Sequence, residues 1–250
     1  MTTRTDTVWQ GAELARNFVS GVRGSIPLSG EQIDVMLRVI AKGCTAGVGR
    51  FLDLGCGDGI LGHAILTRYP SAQGVFSDFS EPMLEAARER LAAFPGHQFL
   101  HSDYATSAWV DDMTKFVPFD VVVSGFSIHH QPDARKREVY QEIYSLLRPG
   151  GVFLNLEHVS SPDEWVSSLF DDLMVDSQFA YFQANGDGRS REEIANTYYY
   201  RPDKAANILA PVEDQCRWLR EIGYHHVDCY LRIFELALFG GVKPEGNQGG

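Results

Sequence analysis

Asp53-Leu54-Gly55-Cys56-Gly57-Asp58-Gly59 is the stretch best able to hold a ligand, because glycines at alternate positions leave the main chain open. Glycine tolerates positive φ, and the N–H groups that open a following helix favour a carboxylate or a phosphate. Gly57-x-Gly59-x-x-Gly62 also satisfies the dinucleotide fingerprint, a weak signal alone. Asp53 argues the other way: two positions before the first glycine, it would repel a pyrophosphate and attract an amino acid's ammonium group. A second set of residues could move protons. A histidine can serve as general base near neutrality, and His129, then His158, are the candidates, with Glu157 as the carboxylate that orients either. His130, in a His-His pair that begins a helix, reads as well as a cap or packed core group as it does as a functional residue. Farther on, Tyr198-Tyr199-Tyr200-Arg201 offers phenolic and guanidinium groups that could orient a substrate in an apolar pocket.

Periodicity predicts the elements that position these groups. Ser29-x-x-Gln32 reads as a capping box opening a helix with Ile33, Met36, Leu37 and Ile40 on one face. Strands are expected at Arg50–Leu54, Gln73–Ser77, Gln98–His101, Phe119–Ser124 and Val152–Leu156. Between them lie a helix with Ile60, Leu61, Ala64 and Ile65 inward and a helix from Ser80 that buries Met83, Leu84, Ala87 and Leu91. A third, Asp133–Leu147, ends at Arg148-Pro149-Gly150-Gly151. Such alternation means an α/β, doubly wound, mostly parallel sheet with helices on both faces. The glycine loop then sits at the end of the first strand, and the histidines at the ends of the fourth and fifth, where open α/β sheets place their ligand crevice. Residues 159–210 are too long for a plain connection and are expected as a helical lid. Trp165, Leu169, Phe170, Leu173 and Met174 fall there at helical spacing, Asn185-Gly186-Asp187-Gly188 forms a turn, and Ser190-x-x-Glu193 a capping box. A helix over Pro211–Ile222 and two apolar runs, His226–Ile233 and Glu235–Gly241, close the domain as an antiparallel edge pair.

With Asp78 after the second strand, Asp103 after the third and Leu147-Arg148-Pro149-Gly150-Gly151 before the fifth, the loop completes an ordered series. From Gln32 to Val242 this series resembles class I S-adenosylmethionine (SAM)-dependent methyltransferases. The resemblance implies a Rossmann-like class I methyltransferase fold: a seven-stranded sheet, mostly parallel, whose last strand is antiparallel. It implies that Asp53, Gly55, Cys56, Gly57 and Gly59 hold the methionine end of SAM, that Asp78 accepts hydrogen bonds from the ribose and Asp103 one from the adenine amino group. Phe79, Tyr104 and Ser124 complete the implied cofactor shell. The layout is also similar to carboxy-S-adenosylmethionine synthases, which need a cation for an extra carboxylate; Trp218 stands where that family has its arginine, with Arg217 and Arg220 as neighbours. A SAM-binding scaffold without catalysis and an NAD-dependent dehydrogenase stand as alternatives. The accepting atom, O, N, S or C, is not legible.

The composition, 44% hydrophobic and 22% charged over 250 residues, is that of a globular protein, read as one methyltransferase domain over residues 1–242 with a helical cap at 1–45. A net charge of -11 argues against nucleic acid as a partner and leaves a small-molecule substrate; a homodimer is allowed. Cys44, Cys56, Cys216 and Cys229 form no C-x-x-C pair, and no long apolar run occurs, so reduced thiols, a cytoplasmic location, no membrane partner and no metal are expected. Residues 243–250, rich in glycine and polar groups, read as a disordered tail.

Overall fold

The computed structural model describes residues 4–17 and 23–246. Residues 1–3 and 18–22 of the expected cap, and 247–250 of the expected tail, lie outside them. The strands are β1 (Arg50–Leu54), β2 (Gln73–Asp78), β3 (Gln98–His101), β4 (Phe119–Gly125), β5 (Leu147–His158), β6 (His225–Ile233) and β7 (Leu236–Val242). They form one seven-stranded sheet in the order β3-β2-β1-β4-β5-β7-β6. β1 pairs in parallel with β2 and β4, β2 with β3 and β4 with β5, whereas β7 runs antiparallel to both β5 and β6. The reversal of order about β1 and β4 opens the crevice that the sequence implied. The helices are α1 (Ala12–Asn17), α2 (Ser29–Gly43), α3 (Ile60–Arg68), α4 (Glu81–Arg90), α5 (Trp109–Met113), α6 (Asp133–Leu146), α7 (Glu164–Ala184), α8 (Arg191–Tyr199) and α9 (Val212–Ile222).

Side-chain alternation along the strands builds a core on each face. Phe51, Val121, Val123, Val152 and Leu154 meet Met36, Ile40, Leu61, Ile65 and Leu84 from α2, α3 and α4. On the other face, Leu52, Leu54, Val122 and Phe153 meet Val139, Tyr140 and Ile143 of α6 and Trp218 and Leu219 of α9. Strands buried on both faces explain why they read as unbroken apolar runs.

Four expectations need correction. The capping box at Ser29 does not form: Leu28, at φ 55, is the cap, and buried Gln32 donates instead to the Pro27 carbonyl at 2.7 Å. At Ser190 the box is present. β5 begins at Leu147, not Val152, because Gly150 and Gly151 pair with the main chain of Lys243 at 2.8 Å. That pairing also ties down the start of the expected tail, where Lys243 Nζ donates to the carbonyls of Tyr144 and Leu147. Finally, the helix expected over Asp133–Leu147 ends at Leu146, because Leu147 already pairs with Phe119 in β5; the expected antiparallel edge pair is present, with β7 lying between β5 and β6.

Residues 159–210 form α7, α8 and a 3-10 turn over Pro202–Ala206. Phe170, Met174, Val175 and Tyr198 of this stretch pack with Ile26 and Leu236 in a third cluster, while Trp165 is 72% exposed. No helix among the described residues is long and apolar enough to cross a membrane.

Candidate active site

The loop after β1 is shaped by its glycines. Gly55, Gly57 and Gly59 all have positive φ, and a Cβ on Gly55 would lie 1.9 Å from Ser127 Oγ. Ser127 is in turn within 2.5 Å of the Tyr104 hydroxyl, so Tyr104 supports the loop from behind. Asp53 is buried and accepts the Gly62 N–H at 2.8 Å, holding the first turn of α3; it does not line the cavity. Asp58 is held by Arg90 at 2.5 Å. Asp78, at the end of β2, does line the cavity and accepts the N–H groups of Gly57 and Ser80, each at 2.8 Å. Burial pushes its pKa up to about 6, against the pull of those donors. Asp103 stands outside the cavity wall, paired with Arg4 and accepting the Ala105 N–H at 2.9 Å. Burial would raise its pKa, but these bonds outweigh burial and hold it low. Ser124 is fully buried and donates to the Leu54 carbonyl at 2.7 Å, tying β4 to β1.

At the ends of β4 and β5 the histidines and Glu157 converge. A 3-10 turn over Ile128–His130 presents His129, whose Nδ1 lies 2.5 Å from Glu157 Oε1. Glu157 also accepts the main-chain N–H groups of His129 and His158, each at 3.0 Å, and the Asn155 amide at 3.3 Å. Both side chains are buried, and burial disfavours charge on each: it pushes Glu157 up to about 7 and His129 well below the usual histidine range. Segment 206–208 locks this turn, with Ile208 N–H donating to the His129 carbonyl at 2.9 Å and buried Lys136 holding the Ile208 carbonyl at 2.5 Å. His129 lines the cavity, and Glu157 stands behind it. His158 lines the cavity too, but its Nε2 is 2.8 Å from Glu235. His130 is a cavity residue rather than a helix cap; its Nδ1 meets the Ala206 carbonyl at 3.1 Å, and burial lowers its pKa to about 3.

These two ends belong to one cavity of about 430 Å³, in the usual range for small-molecule sites. Of the expected residues, Gly55, Cys56, Gly57, Asp78, Phe79, His129, His158, Tyr198, Tyr200 and Arg201 line it. Asp53, Gly59, Asp103, Tyr104, Ser124, Glu157 and Tyr199 do not. Arg201 lies over the Tyr198 ring at 4.2 Å and donates to the Tyr198 carbonyl at 2.6 Å, and the Tyr198 hydroxyl donates to Asp171 at 2.9 Å. Tyr200 is 83% exposed, so it forms the rim. Sequence reasoning missed Ser127, although it follows Gly125 in a loop already singled out, and it missed Trp9, Gln178 and Asn207, which only the fold brings in. Among the described residues no group of three or more His, Cys, Asp or Glu side chains could hold a metal.

A methyltransferase-domain family model matches residues 52–153. A demethylmenaquinone methyltransferase from Clavibacter sepedonicus is 30% identical over 198 residues, which cover 79% of this chain and 74% of that protein. A carboxy-S-adenosyl-L-methionine synthase from Desulfotalea psychrophila is 25% identical over 262 residues, covering 98% of this chain and all of that one. Among solved structures, an O-methyltransferase family protein from Burkholderia thailandensis superposes with a TM-score of 0.66 at 20% identity, a likeness of fold over 99% of this chain. This chain spans only 65% of that protein's resolved length. The glycine cradle, the buried acid after β2, the sheet order and these matches agree that the chain belongs to the SAM-dependent methyltransferases, with SAM as its cofactor.

Proposed function

We propose that the protein transfers the methyl group of SAM to a hydroxyl oxygen of a small, largely apolar acceptor, with His129 as proton acceptor and Glu157 as its orienting carboxylate. One observation carries this reading: a cavity that begins at the glycine cradle ends on a histidine whose Nδ1 is held 2.5 Å from a buried carboxylate. A hydroxyl is a poor nucleophile until its proton leaves, so it needs such a base; a thiolate or free amine does not. The apolar wall of Phe126, Phe170, Met174 and Leu236 suits an acceptor without charge.

The residues present fit the cofactor. The backbone of Gly55–Gly57 would take the methionine end where a side chain on Gly55 would collide with Ser127, and Asp78, buried in the cavity wall, would accept the ribose hydroxyls. When bound, SAM supplies a methyl group made electrophilic by its positive sulfur. Glu157, once ionised, accepts a hydrogen bond from His129 Nδ1–H, which makes Nε2 the nitrogen that would take the acceptor's proton, in exchange for the side-chain bond of His129 with Asn207. The lid and the Trp9 segment cover the cavity and exclude water, which would otherwise compete as acceptor.

The test is turnover of deuteriomethyl-labelled SAM against mixed phenols, alcohols, amines and thiols, read by mass spectrometry. Labelled ethers that form with the wild type and fall about 100-fold or more with Glu157→Gln are expected. Labelled amines or thioethers formed equally by both proteins would overturn the assignment.

The full-length match to a carboxy-S-adenosyl-L-methionine synthase favours a second reading, a chain that modifies the cofactor itself. Against it, Trp218 is buried in α9 under Arg137, Arg217 pairs with Asp214 and Arg220 donates to the Val227 carbonyl. None of these lines the cavity, and among the described residues the cation at its wall is Arg201. A carboxylated SAM in the same assay would establish this reading instead.

A further inference from the structure

α7 turns a narrow face to the cavity, where Phe170, Met174 and Gln178 recur every fourth residue. Phe170 and Met174 are ordinary apolar wall. Gln178 is not: the residue is 6% exposed, it lines the cavity, and its amide makes no side-chain hydrogen bond among the described residues. Tyr200 stands at the exposed rim, and three other polar side chains that this stretch gives to the cavity are bonded within the protein. Thr197 donates to the Glu193 carbonyl, Tyr198 to Asp171, and Arg201 to the Tyr198 carbonyl while pairing with Asp203. An amide at the cavity wall that makes no bond inside the protein can both donate to and accept from a ligand group, which leucine at the same place could not do.

We infer that Gln178 determines acceptor specificity by hydrogen bonding a neutral hydroxyl or carbonyl on the acceptor, remote from the oxygen that is methylated. The inference rests on the hydroxyl-acceptor reading above. An amide donates and accepts but brings no charge, and Arg201, the cation nearest in sequence to the lining residues of α8, is already compensated. An ionised group beside Gln178 would therefore lose its hydration without a counter-ion. Helix geometry gives the acceptor a length. Phe170 stands beside the His158 ring at 5.2 Å, and Gln178 is eight residues farther along α7, about 12 Å at 1.5 Å per residue. A flat bicyclic diol, with its oxygens about 8 Å apart, covers that distance once a hydrogen bond of about 2.8 Å is added at each end.

The experiment is calorimetry on protein saturated with S-adenosylhomocysteine (SAH), using 2-naphthol, 2,6-dihydroxynaphthalene and 6-hydroxy-2-naphthoate as probes. The wild type should bind the diol at least tenfold more tightly than 2-naphthol and than the carboxylate. In Gln178→Leu the diol and 2-naphthol should bind within twofold of each other, with SAH affinity unchanged; Gln178→Met, which keeps the unbranched shape, replaces it if the leucine variant does not fold. The same preference for the diol in the variant, tightest binding of the carboxylate, or a changed SAH affinity would overturn the inference and leave the hydroxyl-acceptor reading intact. Binding of none of the three probes would overturn both.

Discussion

At the scale of single residues, two buried carboxylates give the site its dependence on pH. Asp78 accepts from ribose hydroxyls most strongly when ionised, and burial has moved its titration up to about pH 6. SAH affinity measured by calorimetry should therefore weaken below pH 6, by up to tenfold per pH unit. Asp78→Asn should bind about tenfold or more weakly and without that dependence, since a hydrogen bond to a charged group is lost. Affinity that is flat from pH 5 to 8 in the wild type would remove Asp78 from the cofactor site. Glu157 titrates near 7, and only its ionised form holds His129 in the tautomer that can take a proton. The methylation rate should rise through about pH 7. Glu157→Gln should lower kcat by ~10²–10³ with SAH affinity unchanged; a loss of less than threefold would end the proposed role of the pair.

At the scale of elements, the turn from β1 into α3 is the most constrained piece of chain. Gly55 combines φ 63 with a neighbour 1.9 Å from where its Cβ would be. Gly55→Ala should destabilise the protein by ~1–3 kcal/mol and abolish measurable SAH binding. Adding Ser127→Gly should restore part of the stability, because it removes the collision but not the left-handed backbone cost. Urea unfolding of the single and double variants checks this, and strictly additive losses would show that the two residues do not press on each other. The lid is built differently. α7 and α8 meet the body at a small cluster around Phe170, Met174 and Tyr198 and at a bond from Ser177 Oγ to the Ser25 carbonyl, apart from the clusters on the two faces of the sheet.

At the scale of the whole molecule, burial sets opposed proton inventories. Between about pH 4.5 and 6 the folded chain keeps protons on Asp78 and Glu157 that the unfolded chain has released, which lowers stability as pH rises. Over the same window His129 and His130 stay neutral when folded but take up protons when unfolded, which lowers stability as pH falls. His97, which burial also lowers, adds in part to the histidine side, so the unfolding free energy should rise only gently with pH between pH 5 and 6. In Glu157→Gln it should rise more steeply there, by about a further 1.4 kcal/mol per pH unit, the worth of one proton no longer opposed. Equal slopes in wild type and variant would show that Glu157 carries no proton in the folded state.

Local chemistry determined much of this protein. The glycine run, the acid after the second strand, the βα alternation and the reversed final strand are short-range features, readable because each obeys the backbone preferences of a few adjacent residues. They were enough to imply the fold and the cofactor. Tertiary structure decided which of the marked residues face the cavity and which support it from behind. Asp53 and Ser124 carry the right chemistry in the right loops, yet β-strand alternation and the start of α3 turn them inward to tie strands and turns together. Trp9, Gln178 and Asn207 carry no local signal at all, because their place in the cavity comes from contacts between segments far apart in the chain. Burial, which moves the pKa values of Asp78, His129 and Glu157, is likewise a property of the packed molecule and of no stretch of sequence.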